Sequence, residues 1–126
     1  MKRPWYAVSW FSFWGLFQAY AVTSVLQGRW ERPEAFPEEA YNALAYPGMV
    51  FIPLYLATAG LLAFGRREGL LLGLFVGGAV TYVMVYLLAL ARFEGTENLI
   101  ADLVFLALNA AAVLQLARWL LQRPAA

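Results

Sequence analysis

The chain has 126 residues, of which 63% are hydrophobic and 13% charged, with a formal net charge of +1 and neither cysteine nor histidine. Soluble domains carry about 25% charged residues, so this composition excludes a largely hydrated surface and indicates a small integral membrane protein, and its near-neutral charge gives no basis for a nucleic-acid partner. The absence of Cys and His excludes thiol–disulfide exchange, haem ligation through imidazole, zinc sites of the usual N/S type and His-based acid/base catalysis, so no cofactor or metal is expected.

The first apolar stretch, Trp5–Leu26, follows the basic Met1-Lys2-Arg3 and contains no charged residue. A cleavable leader has an apolar region of about 7–15 residues ending in small side chains. This stretch instead continues through Trp10, Trp14 and Tyr20 to Gln27, and it reads as a retained helix. The segment after it holds three prolines, Pro33, Pro37 and Pro47. Residues 37–46, with Pro37 at a first helical position and Glu38 and Glu39 in the first turn, predict a short external helix. Trp30, Phe36, Tyr41 and Tyr46 suit the headgroup level, where amphipathic rings settle.

A second span is expected over 47–64. Pro53 lies inside it and predicts a kink near Phe51. The link Gly65-Arg66-Arg67-Glu68-Gly69 is short enough to make the second and third helices antiparallel neighbours. In the third span, over 70–91, Gly69, Gly73, Gly77 and Thr81 recur every fourth residue and line one face, where small side chains let another helix approach closely. A weaker stripe of Ser12, Gly15, Ala19 and Thr23 marks the first span, and the two stripes are expected to pair, in one chain or between the chains of a homodimer. The link Arg92-Phe93-Glu94-Gly95 leads to Thr96, a candidate N-cap, and to a fourth helix over 97–121.

Each stretch is near the roughly 20 residues that a bilayer-spanning helix requires, so the expected fold is an all-α integral membrane four-helix bundle forming one domain over 1–126. Orientation follows from the basic residues of the short loops. Lys2, Arg3, Arg66, Arg67, Arg118 and Arg123 fall on one side, against Arg29, Arg32 and Arg92 on the other. Both termini are therefore expected in the cytoplasm. The scarcity of Lys against Arg, with abundant Ala, Leu, Gly and Glu, suggests a bacterial inner membrane.

On the last helix Asn98, Asp102 and Asn109 fall within about 40° on the helical wheel, with Phe105 between them. Asp102 lies about 8 Å from the helix start at 1.5 Å per residue, and an intramembrane acid is a candidate ion or proton site. At mid-depth Gln18, Tyr55, Thr58, Thr81, Tyr82 and Asn109 project to a common level, either as hydrogen-bonded glue or as the lining of a ligand path. Two four-helix families of similar size differ at their motifs. Exporters of organic cations carry a Glu in the first span where this chain has only Gln18, and fluoride channels carry Thr-Thr-Phe-Ser where this chain reads Gly77-Gly78-Ala79-Val80-Thr81-Tyr82. With no nucleophile or metal constellation, the expected function is that of a non-enzymatic accessory subunit or a bundle binding a hydrophobic ligand or another membrane protein. The alternative is a small cation- or proton-coupled transporter or channel using Asp102, lined by Asn98, Asn109 and Gln18.

Overall fold

The computed structural model describes residues 3–29, 37–43, 45–94 and 97–122, without the side chains of 40, 41, 87, 90–94 and 97–99. The chain is all-helical, with α1 (Trp5–Leu26), α2 (Glu38–Ala43), α3 (Ala45–Ala63), α4 (Arg67–Glu94) and α5 (Glu97–Gln122). Among the described residues three helices, α3, α4 and α5, are long and apolar enough to cross a membrane. The 22-residue α1 is long enough, but its Trp, Tyr, Ser and Gln residues dilute its hydropathy. By composition the described residues thus give three candidate spans where four are expected.

Two glycines set the ends of the first and third helices. After α1, the Gly28 N–H donates to the Val25 carbonyl and the Arg29 N–H to the Ser24 carbonyl. After α3, Gly65 donates to Leu62 and Arg66 to Leu61 in the same way. Both glycines hold a positive φ, +69° and +72°, which a side chain would strain. This paired 5→2 and 6→1 bonding satisfies carbonyls that a helix end otherwise leaves open. The tight stop at Gly65 lets α4 begin at Arg67, before the expected residue 70, with Glu68 favourably placed at the positive end of the helix dipole. The Arg66 guanidinium donates to the Glu68 carboxylate at 3.3 Å. At the other end α4 runs on to Glu94, so most of the expected link 92–95 is helical.

α3 runs continuously from Ala45 to Ala63 through both Pro47 and Pro53. Pro47 lies in the first turn, where its missing N–H would have no helical acceptor, and Pro53 sits on the exposed side, where the helix has room to accommodate the ring. The short helix expected over 37–46 is present as α2, Glu38–Ala43. Trp30, Phe36 and the Tyr41 side chain lie outside the described residues, as does Thr96.

The four long helices form a ring. α1 packs along α3, α3 along α4 and α4 along α5, while α5 closes the ring against α1 with a looser contact. This corrects the expected pairing of the two small-residue stripes, because α1 and α4 lie diagonally opposed. The α1 stripe turns to α3, where a Cβ on Gly15 would stand 2.8 Å from Leu56 Cδ2 and 3.3 Å from Tyr55 Cβ. The α4 stripe divides its contacts. A Cβ on Gly69 would lie 2.9 Å from the backbone nitrogen of Leu62 in α3, and one on Gly77 would lie 2.5 Å from Val113 Cγ2 in α5. A Cβ on Gly73 would collide with Leu116 Cδ1 of α5. Across the diagonal the Phe11 ring reaches toward these glycines, 3.7 and 3.8 Å from the same Cβ positions on Gly73 and Gly77. Bulk from α1 and α5 therefore fills the space that the glycines vacate, so the core is a large-into-small packing across the ring rather than two flat surfaces pressed together.

Candidate functional site

The polar interior centres on Asn109, which is fully buried. Its Oδ1 accepts from Trp10 Nε1 at 3.0 Å, and its Nδ2 donates to the Gly77 carbonyl at 3.0 Å and to Thr81 Oγ1 at 3.0 Å. The Thr81 hydroxyl in turn donates to the Gly77 carbonyl, 2.9 Å away in its own helix. One amide thus ties α5 to α1 and α4. The glycine at 77 permits this geometry, because a side chain there would displace Val113 and the α5 backbone would move out of reach.

Two further polar links fasten the start of α1 to α5. Pro4 offers no capping side chain, and the Ala7 N–H donates to Gln115 Oε1 at 3.0 Å. The Tyr6 hydroxyl donates to the Leu108 carbonyl at 2.6 Å. A third contact reaches α3, where Arg3 Nε donates to the carbonyl of Ala63 at 3.2 Å. The Ala7 N–H and the Ala63 carbonyl are helix-terminal groups that lack intrahelical partners, and the three bonds together draw the first turn of α1 against both neighbours.

Beside this lattice, Trp10, Phe13, Trp14 and Phe17 recur at i, i+3, i+4 and i+7 on α1 and enclose Phe105 of α5. The Phe105 centroid lies 6.5, 6.3, 5.7 and 5.6 Å from those four rings, and Trp10 and Trp14 stack at 5.4 Å. Such separations give the quadrupolar attraction of aromatic pairs. They also explain the looser approach of α1 and α5, because large rings occupy the seam.

The residues expected at one level do not form one layer. Asn109 and Thr81 meet, as described. Thr58 is buried but donates to the carbonyl of Leu54, 2.7 Å away in its own helix. Tyr55 is buried on the α1 side, and the buried Trp14 Nε1 has no hydrogen-bond partner among the described residues. Gln18 is half-buried between α1 and α3, its Oε1 3.7 Å from where a Cβ on Gly48 would stand. Tyr82 is 77% exposed and points away from the bundle. Depth was the basis for grouping these residues, and depth does not distinguish the faces of a helix. Asp102 is half-buried, on the Asn109 side of α5 and engaged in an interaction of its own. The Asn98 side chain lies outside the described residues, as do those of Arg92, Glu94 and Glu97. Ala19 is half-buried on α1.

Sequence reasoning missed Trp10, Gln115 and Phe105 as partners in this region. The i, i+3, i+4, i+7 spacing of the α1 aromatics is a helical face and was the available signal for the aromatic seam. Nothing in the sequence pairs Trp10 with Asn109, since that contact depends on which helices adjoin. Chemically, the arrangement fastens helices: the hydrogen-bonding atoms of the Asn109 amide are engaged by protein groups. Compared with protein-family models, with curated proteins and with solved structures, the chain matches none.

Proposed function

We propose that the protein is a four-span helical bundle of a bacterial inner membrane, with both termini in the cytoplasm, that serves as a non-enzymatic accessory subunit and docks another membrane protein on α5. The observation that carries this reading is the contrast between the two sides of that helix. Its inner side is committed to Asn109, Phe105, Ala112 and Leu116 within the bundle. Its outer side presents Ile100, Leu103, Val104 and Leu108 exposed, with Ala107 and Ala111 between them. An apolar face interrupted by alanines suits close helix–helix approach in lipid, where small residues substitute for hydrophobic drive. The exposed Leu16, Val50 and Phe75 of the other helices suit contact with acyl chains.

The transporter reading has less support, because the best-placed buried amide at mid-depth is already engaged by Trp10, Gly77 and Thr81. Proton or cation flux in proteoliposomes distinguishes the two. The accessory reading expects flux no greater than in protein-free vesicles. Flux above that level that disappears in Asp102→Asn, with helicity retained by circular dichroism, establishes Asp102 as an ion site and overturns it. Photo-crosslinkers placed at Val104 and Ala111 should in addition give one discrete adduct in native membranes, whereas the same group at Val50 should give none.

A further inference from the structure

We infer that the inner end of α5 carries a binding site for one anionic phospholipid, with the Arg118 guanidinium on the phosphate and the groove floored by Ala117 holding an acyl chain. The inference rests on the membrane reading above and concerns a part of α5 separate from the proposed partner face.

An open groove of about 430 Å³ is lined by Leu114, Ala117, Arg118, Leu121 and Gln122. Leu114 and Leu121 stand 67% and 85% exposed as its apolar walls, and the small Ala117 between them leaves the depression. Arg118 and Gln122 are also exposed, one helical turn apart. The apolar side chains of Leu114, Ala117 and Leu121 thus run along the groove, while the donors of Arg118 and Gln122 line one flank of it, a pattern that suits an amphiphile with an anionic head.

Charge decides the sign of that head. At this end of the bundle the Glu68 carboxylate is held by Arg66 at 3.3 Å. Arg118 has no ion pair among the described residues, and the exposed Arg67 at the start of α4 adds to the same end. Arg118 lies four residues before the end of α5, about 6 Å along the axis, close enough for its stem to follow apolar surface while its head reaches the phosphate level. A guanidinium presents a planar fork that matches two phosphate oxygens, and the Gln122 amide supplies a further donor.

The test uses the full chain in a nonionic detergent, with bound lipid counted by native mass spectrometry during titration with dioleoylphosphatidylglycerol or dioleoylphosphatidylcholine. The wild type should retain one phosphatidylglycerol with about five-fold tighter binding than phosphatidylcholine, the effect expected of one basic residue at a membrane surface. Arg118→Gln should abolish that preference, Ala117→Leu should weaken phosphatidylglycerol by filling the groove, and Arg67→Gln should leave the preference within about two-fold, as expected if its charge lies off the groove. Equal binding of the two lipids to the wild type overturns the proposal. So does an equal loss in Arg67→Gln and Arg118→Gln, which indicates diffuse charge, or displacement by millimolar inorganic phosphate, which indicates an anion site without an acyl groove. Alkaline extraction of native membranes runs alongside. Release of the protein into the soluble fraction refutes the membrane reading itself, whereas retention with no lipid preference refutes only the lipid site.

Discussion

Gly77→Leu should unfold or expand the bundle, with an expected loss of at least about 3 kcal/mol, since overpacking by even small increments costs about 1–3 kcal/mol. The Cβ alone would stand 2.5 Å from Val113 Cγ2, and the remaining side-chain carbons would have to displace α5 and with it the Asn109 amide. Gly73→Leu should behave alike, through Leu116. Gly78→Leu, one residue on and open to the outside with nothing within 4 Å, should change stability by no more than about 0.5 kcal/mol, as exposed substitutions do. Alanine substitutions separate two kinds of crowding. At Gly73 the new methyl meets the end of a leucine side chain, which can rotate. At Gly69 it meets the Leu62 backbone nitrogen at 2.9 Å, which cannot move without shifting α3. Gly69→Ala should therefore cost more than Gly73→Ala. Thermal unfolding in detergent, read by circular dichroism, checks the order, and equal behaviour of Gly77→Leu and Gly78→Leu would show that the glycine face is not a contact face.

The second large effect is expected at Asn109. Asn109→Leu removes three hydrogen bonds and leaves the Trp10 N–H buried without an acceptor, a penalty of about 1–3 kcal/mol for the orphaned group. Bonds between membrane helices average about 0.6 kcal/mol and reach about 1.7, so the total should be about 2 kcal/mol, below the cost of the glycine substitutions. A cycle with Trp10→Phe isolates one bond, because phenylalanine keeps an aromatic ring in the seam and deletes the donor. The coupling energy should fall between about 0.5 and 1.7 kcal/mol. A coupling near zero, with both single variants destabilised, would assign the effect to packing alone.

Helix number and the order of neighbours from α3 to α5 were legible because they depend on local information: runs of apolar residues and short links. The partner of α1 was not. Two small-residue stripes suggest mutual contact, yet Gly15 faces Leu56 and Tyr55, while Gly73 and Gly77 receive Leu116 and Val113. The choice follows from ring closure among four helices, a long-range property that no window of sequence contains. Tyr82 fails for a related reason: it follows Thr81 by one residue, about 100° around the helix, and so leaves the inner face that Thr81 touches.

The central claim, a four-span bundle with both termini on the basic side, is tested most directly by single cysteines introduced into this cysteine-free chain at Lys2, Glu38 and Gln122. An impermeant thiol reagent applied to intact cells should label Glu38→Cys alone, with Lys2→Cys and Gln122→Cys reacting only after the cells are opened. This pattern requires α1 to cross the membrane despite its diluted hydropathy. Labelling of Lys2→Cys from outside together with Glu38→Cys would leave only α3, α4 and α5 as spans and contradict the account.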